Sequence, residues 1–334
     1  MVDERKAAIL RAVIEQYTDT AQPVGSSAAA RAAGLRVSAA TVRNDMAALE
    51  TEGYLSQPHT SAGRIPTEKG YRFFVDHLDA RDLTGRGPTN DKSVADFFSH
   101  LRGEIEQVMQ ETASLLTDLT DYAAVVVDDT VEAAVVRSVQ LVPLAGSAVM
   151  SVIVLSNGQV LKQTFDFGAE IDLQVIDRAG HFLSAATVDR VLAEAVEPKA
   201  SGDNVVDSLV RQFYQELMAR DSDGERVYVD GTAKVASAFQ AVDSVSQVLT
   251  ILEQQLVVVS LLADVVERGL SVAIGSETGV APLSECSLVV SPYEIDGEHA
   301  GSIAVLGPTR MNYPQAMSAV AVVSRQLGQL LSEG

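Results

Sequence analysis

Between Val37 and Phe74 the chain reads VSAATVRNDMAALETEGYLSQPHTSAGRIPTEKGYRFF: an apolar-striped helix, a polar hairpin and a second helix in immediate succession. A winged DNA-binding module uses this order, as recognition helix, wing and following helix. Ser38 is a good N-cap for a helix running to about Glu52, and Ala39, Val42, Met46 and Leu49 recur at helical spacing on one face. The opposite face carries Ala40, Thr41, Asn44, Ala47 and Ala48, with Arg43 on its flank. Small side chains let a helix backbone sit deep in a major groove. Asn44 can then pair with an adenine edge, Thr41 can meet a thymine methyl or a phosphate, and Arg43 can reach guanine or phosphate.

Gly53 ends that helix and Tyr54-Leu55 begins a strand. Pro58 to Arg64 makes a polar tip containing His59, Thr60, Ser61, Gly63 and Arg64, suited to phosphates or a minor groove. Ile65-Pro66-Thr67 returns, with Pro66 fitting an edge strand or its end. Thr67 can cap the next helix, whose Tyr71, Phe74, Val75 and Leu78 face a core while Lys69 and Arg72 are expected near the DNA side. Two helices precede this segment. The first carries Ile9, Leu10, Val13, Ile14 and Tyr17 as a stripe; the second starts at N-cap Ser26 or Ser27 and ends at Gly34.

Charge divides the chain unevenly. The net charge is −20, yet residues 1–72 hold 9 Lys+Arg against 8 Asp+Glu, leaving 16 against 37 in the rest. An acidic body repels DNA except where the near-neutral front is presented. Cys286 stands alone and the five histidines, His59, His77, His100, His181 and His299, lack metal-ligand spacing, so no disulfide framework, metal site or cofactor is expected. No nucleophile elbow or catalytic constellation appears, which argues against an enzyme. The opening MVDERKAAIL is charged where a signal peptide would be apolar, and Leu256 to Val266 is too short to span a bilayer. A cytoplasmic protein without membrane contact is the simplest expectation.

In the body, Thr84 to Asn90 is turn-rich and reads as a linker that lets the module reorient. Leu101, Ile105, Val108, Thr112, Leu115 and Leu119 form a heptad-like seam, and Val245, Leu249, Leu252, Leu256, Val259, Ala263 and Val266 a cleaner one. Val135–Pro143, Ala148–Leu155 and VLKQTFDF read as strands, with Asn157-Gly158 as a hairpin turn. From about Glu170 to Glu267 the pattern is helical. Strands return in SVAIGSE, SLVVSPYE and GSIAVLGPTR, before a last helix with Val320, Val323, Leu327 and Leu331 inward. Strands on both sides of a helical middle imply one α/β domain interrupted by an insertion. Gly307 to Arg310 lacks the spacing of a P-loop and reads as a turn closing a strand, and Glu277 and Arg310 are candidates for a structural ion pair.

PVGS at 23–26, the VSAATVRNDMAALE helix and QPHTSAGRIPTEKGYRFFVD from Gln57 to Asp76 resemble the HrcA family, heat-inducible repressors of bacterial chaperone operons. Ile274 to Glu277 and Gly307 to Met311, with Tyr313, are similar to its C-terminal signatures. The resemblance implies a multidomain α+β chain: an N-terminal winged helix-turn-helix and a GAF-like α/β domain with an inserted dimerisation domain. The corresponding boundaries are 1–80 for the winged domain, 81–92 for the linker, 93–165 and 241–334 for the GAF-like domain, and 166–240 for the insertion. It implies DNA contact by Thr41, Arg43, Asn44, His59, Thr60, Ser61 and Arg64, to which the helix-end and flanking positions add Ser38, Lys69 and Arg72. It also implies a homodimer on an inverted repeat in duplex DNA, and a chaperonin that helps the repressor reach its active fold. A metabolite-responsive winged-helix regulator, sensing through the α/β body, is the alternative; an enzyme with a DNA-binding appendage is the more distant one.

Overall fold

Asp3 accepts the Lys6 amide at 2.9 Å and so opens α1 (Glu4–Thr20), which buries Ile9, Leu10, Ala12, Val13 and Ile14. The computed structural model describes residues 2–35, 37–59, 62–79, 82, 91–101, 105–128, 135–144, 147–156, 160–168, 171–191, 198–218, 226–238, 242–268 and 271–333. In α2 (Ser26–Ala32) the N-cap is Gly25 without a side-chain bond, one position before the expected serines, while Gly34 takes the left-handed conformation foreseen for it at φ 64°. Next come α3 (Ala39–Thr51), β1 (Leu55–Ser56), β2 (Ile65–Pro66) and α4 (Glu68–Asp76). β1 and β2 pair antiparallel as a short wing, and α1 packs on α2, α3, α4 and β2.

The body continues with α5 (Asp91–His100), α6 (Ile105–Thr120) and β3 (Ala123–Asp128). Three strands follow, β4 (Val136–Pro143), β5 (Ala148–Leu155) and β6 (Val160–Asp166), then α7 (Leu173–Thr187) and α8 (Asn204–Met218). The last part holds β7 (Arg226–Asp230), α9 (Thr232–Ala238), α10 (Val242–Glu253), α11 (Gln255–Glu267), β8 (Val272–Ile274), β9 (Cys286–Ile295), β10 (Glu298–Pro308) and α12 (Tyr313–Glu333). Two short 3-10 turns, Gly275–Thr278 and Ala281–Leu283, link β8 to β9.

Two compact units result: Met1–Val126 with Val227–Gly297 and Ser302–Gly334, and Val127–Arg226 with Glu298–Gly301. The first holds the winged module and a sheet in the order β7-β3-β10-β9-β8, with α12 packed on β9, α5 and α6. The second holds the antiparallel sheet β4-β5-β6, whose inner Val149 and Phe165 pack with Ile176, Leu183, Leu209 and Phe213 of α7 and α8. β8–β10 share their sheet with β3, a strand the sequence pattern does not single out, whereas β4–β6, the strands expected to join them, form a sheet of their own. The second compact unit thus takes in Val127–Arg226 with Glu298–Gly301, while the expected insertion is 166–240. Alternation along a strand sets which side chains face a core and is silent on which sheet the strand joins. Thr84–Asn90 and the Asn157-Gly158 turn lie outside the described residues.

Both seams are turned from their expected phase. α6 buries Val108, Met109, Thr112, Ala113, Leu116, Thr117 and Thr120, leaving Leu115 and Leu119 half-buried. The second seam is two helices, with segments Val245–Glu253 and Val257–Glu267 bent by 92° across the break; its buried residues are Val248, Ile251 and Leu252, then Val258, Leu261, Leu262 and Val265. A 3.5-residue repeat drifts against a straight 3.6-residue helix, so a seam read as heptads slips off the buried stripe. In α12, Val320, Val323 and Leu327 are buried as expected and Leu331 is half-buried. No single helix among the described residues is long and apolar enough to cross a membrane.

Candidate nucleic-acid interface

Ser38 caps α3 by accepting the Thr41 amide at 3.1 Å, and the two hydroxyls bond each other at 2.9 Å. The capped end is exposed. Val42, Met46 and Leu49 are fully buried, which turns Ala40, Arg43, Asn44 and Ala47 to solvent, with Thr41 and Ala48 partly so. Ala39, expected inward, is also exposed. The buried face instead takes in a charge that the apolar spacing does not single out. Asp45, 7% exposed, accepts Arg5 Nε at 2.8 Å and Arg5 Nη2 at 3.0 Å in a two-pronged bond from α1. Lys6 Nζ meets Glu52 Oε1 at 2.8 Å, and that bond, against a smaller opposing effect of desolvation, holds the Glu52 carboxyl below its usual range. Both pairs fix the rotation of α3 against α1. An acidic residue in phase with Val42, Met46 and Leu49 was the available signal.

The wing is fastened to the same frame. Arg64 and Val24 exchange backbone bonds, each N–H to the other's carbonyl at 2.9 Å, a single antiparallel bridge that ties Val24 to the base of the hairpin. Gly63 lies against that bridge so closely that a Cβ there would sit 2.5 Å from the Val24 carbonyl carbon and oxygen. The PVG segment and the wing glycine are thus two halves of one contact. Gln57 Nε2 donates to the Ala62 carbonyl at 2.9 Å across the tip, and His59 is exposed there. Thr60 and Ser61 lie outside the described residues. Arg64, expected as a wing contact, turns back instead: Nε donates to Glu50 Oε2 at 2.9 Å, Nη2 lies 2.8 Å from the same oxygen, and the side chain is 15% exposed.

Lys69 and Arg72 are also placed apart from the open face of α3. Lys69 Nζ donates to the Glu52 carbonyl at 2.8 Å, just past the last turn of α3, and lies 4.4 Å from the Tyr54 ring centre. Thr67 caps α4 as expected, accepting the Gly70 amide at 3.1 Å and donating to the Gly53 carbonyl at 2.7 Å. Arg72 points to the C-terminal sheet. Its Nε donates to Glu277 Oε1 at 2.9 Å, Nη2 donates to Glu277 Oε2 and, at 2.7 Å, to the Val272 carbonyl. Glu277 thus takes Arg72, not the Arg310 expected from sequence. Burial pushes the Glu277 carboxyl up, but Arg72 and the Ile274 amide together outweigh it and hold the carboxyl below its usual range.

A second bond pair extends this contact: Ser276 Oγ and N donate to the Glu68 carboxylate at 2.6 and 3.3 Å. The Tyr71 and Tyr313 rings stand 5.7 Å apart beside it. Gly275, at φ 54°, leaves no room for a Cβ against Glu68. The Ile274–Glu277 signature is therefore the docking turn for α4. The module expected to reorient through a linker is held to the sheet in one compact unit.

Among the described residues no group of His, Cys, Asp and Glu could hold a metal ion. Cys286 is buried, which pushes its thiol up to about 12. Gly307 to Arg310 ends β10 and turns, the Met311 amide donating to the Pro308 carbonyl at 2.9 Å, and a Cβ on Gly307 would meet the Tyr122 ring at 2.9 Å.

A family model described as HrcA protein C terminal domain matches residues 106–317. The heat-inducible transcription repressor HrcA of a Nocardioides species is 39% identical, the alignment covering 100% of both chains. That of Moorella thermoacetica is 36% identical over 99% of this chain and 98% of its own. A crystal structure of a hypothetical protein shares the fold with a TM-score of 0.66 at 20% identity, over 100% of this chain and 99% of the other. With the winged module, the docking turn and this full-length similarity together, the chain belongs to the HrcA family of heat-inducible transcription repressors.

Proposed function

We propose that the chain represses chaperone operons in the cytoplasm as a homodimer that reads an inverted repeat in duplex DNA. The observation that carries this reading is the exposed, side-chain-poor face of α3, with Ser38 and Thr41 at its N-terminal end and Arg43 and Asn44 along it. Arg43 and Asn44 supply base-edge contacts; Ser38, Thr41, His59, Thr60 and Ser61 supply phosphate or groove contacts. Arg64, Lys69 and Arg72 leave this set, because each is committed to an intramolecular partner. A single module presents few direct contacts, so specificity requires two in register.

We assign the dimerising role to the inserted unit and a GAF-like role to the sheet β7-β3-β10-β9-β8. The inserted segment leaves after β3 and returns at β7, the neighbouring strand. Replacing residues 129–225 with a short flexible linker is expected to give a folded monomer by sedimentation; a persisting dimer would place the interface elsewhere. Chaperonin dependence is tested by refolding with and without chaperonin and measuring operator binding. Equal recovery would count against it.

A metabolite-responsive reading has one observation in its favour. A cavity of about 280 Å³ is lined by Arg11, Glu15 and Phe74 of the module and by Met311, Asn312 and Tyr313 at the start of α12. A metabolite that both raises thermal stability and changes DNA affinity would favour this reading; its absence from a broad screen leaves the chaperonin account.

A further inference from the structure

We infer that Arg64 and Glu50 form a positioning pair that sets the wing's angle to α3, and that Arg64 does not neutralise a DNA phosphate. This rests on the DNA-binding reading above. Three contacts meet at Arg64. Its backbone exchanges 2.9 Å bonds with Val24, between α1 and α2; its side chain reaches Glu50 in the last turn of α3; and its chain neighbour Ile65 starts β2. The residue therefore ties the wing to the α1–α2 connection and to α3. Gly63 makes the joint rigid from the other side, since the chain there touches the Val24 backbone with no space for a side chain.

The electrostatics point the same way. Both Nε and Nη2 are spent on a single oxygen, Glu50 Oε2, and only 15% of the side chain is exposed. A phosphate approaching that guanidinium would meet the Glu50 carboxylate beside it. The pair is close to neutral as a unit, so it contributes little to counterion release. Its value lies in geometry: a wing swung even slightly from α3 brings the tip and the recognition helix to one DNA site out of register, and precise register is what separates operator from random sequence.

Neutral removal of the whole pair separates the two roles. The full chain carrying Glu50→Ala with Arg64→Ala is compared with the parent on a duplex footprinted upstream of the source genome's chaperone operon and on a scrambled duplex of equal length. The expected result is an unchanged salt slope on both duplexes and a specificity ratio lowered about fivefold or more, on the scale of a partly exposed ion pair. A slope reduced by about 1.8 for the dimer, the signature of one lost phosphate contact in each of its two modules, overturns the inference. Glu50→Gln, a near-isosteric change, covers the case in which the double variant misfolds. Positioning predicts a lower specificity ratio, because the freed cation favours every sequence while the wing loses its brace. An unchanged ratio with uniformly tighter binding overturns it. If the parent itself binds neither duplex, the DNA-binding reading fails instead, a result distinct from either outcome.

Discussion

Replacing Arg72 with Ala separates an anchor between the winged module and the sheet from a DNA contact. The guanidinium makes two bonds to Glu277 and one of 2.7 Å to the Val272 carbonyl, with a longer 3.4 Å approach to Asp76. The side chains of Arg72 and Glu277 are 23% and 32% exposed, intermediate between a solvated surface pair and a fully buried one. Exposed pairs contribute about 1 kcal/mol or less, and breaking fully buried ones costs about 3–5 kcal/mol, so solvent screening brings the cost here to about 2–3 kcal/mol. The loss includes a Glu277 carboxylate left, among the described residues, with the Ile274 amide as its hydrogen-bond partner. For a unit of this size that corresponds to a melting shift of roughly 5–10 °C. Lys at this position recovers little, because one ammonium cannot reproduce the fork. The assay is thermal and urea unfolding of the full chain beside DNA titrations at several salt concentrations. An Arg72→Ala protein that melts with the parent while its salt slope falls by about 1.8, one phosphate contact from each module of the dimer, would refute the anchor and restore Arg72 to the DNA side.

Other outcomes follow from the same geometry. Asn44→Ala or Arg43→Ala is expected to weaken operator binding by about 1–3 kcal/mol, with Asn44→Ala leaving nonspecific binding nearly unchanged; equal losses on operator and scrambled duplex would move the base contacts elsewhere. Gly63→Ala forces a Cβ to 2.5 Å from the Val24 backbone, so stability should fall by about 1–3 kcal/mol, and parent-like unfolding would show that the wing stands off Val24. Acid should loosen the anchor. The folded Glu277 carboxyl is held below its ordinary value of 4.5, so its stabilising contribution is fully present above that value and is lost as pH falls through the depressed one. Hydrogen exchange at α4 should rise over that window in the parent and be already high in Glu277→Ala; identical profiles would show that the pair carries no stability.

The winged module was legible because its determinants are local. Ser38 and Thr67 sit where caps must sit, Val42, Met46 and Leu49 recur at a spacing of about one turn, and glycines mark the ends of α2 and α3. What holds these pieces together was not legible. Arg5 finds Asp45 and Arg72 finds Glu277 across 40 and 205 positions, and no periodicity relates such partners. Arg64, Lys69 and Arg72 therefore read as cations awaiting phosphates, when folding gives each an acceptor within the chain. The strands β4, β5 and β6 were each visible from alternation, but their separation from β3 into another sheet depends on pairing. The slipped seams of α6, α10 and α11 show the remaining limit: a stripe one residue out of phase still looks amphipathic.

Two lean-faced α3 helices, held in register, are proposed to read a symmetric operator. Footprinting the purified chain on the region upstream of the source genome's chaperone operon is expected to show protection of an inverted repeat, the two half-sites contacted in the major groove on one face of the duplex and lost together in Asn44→Ala. Protection without dyad symmetry, or protection that survives Asn44→Ala unchanged at physiological salt, would contradict that reading.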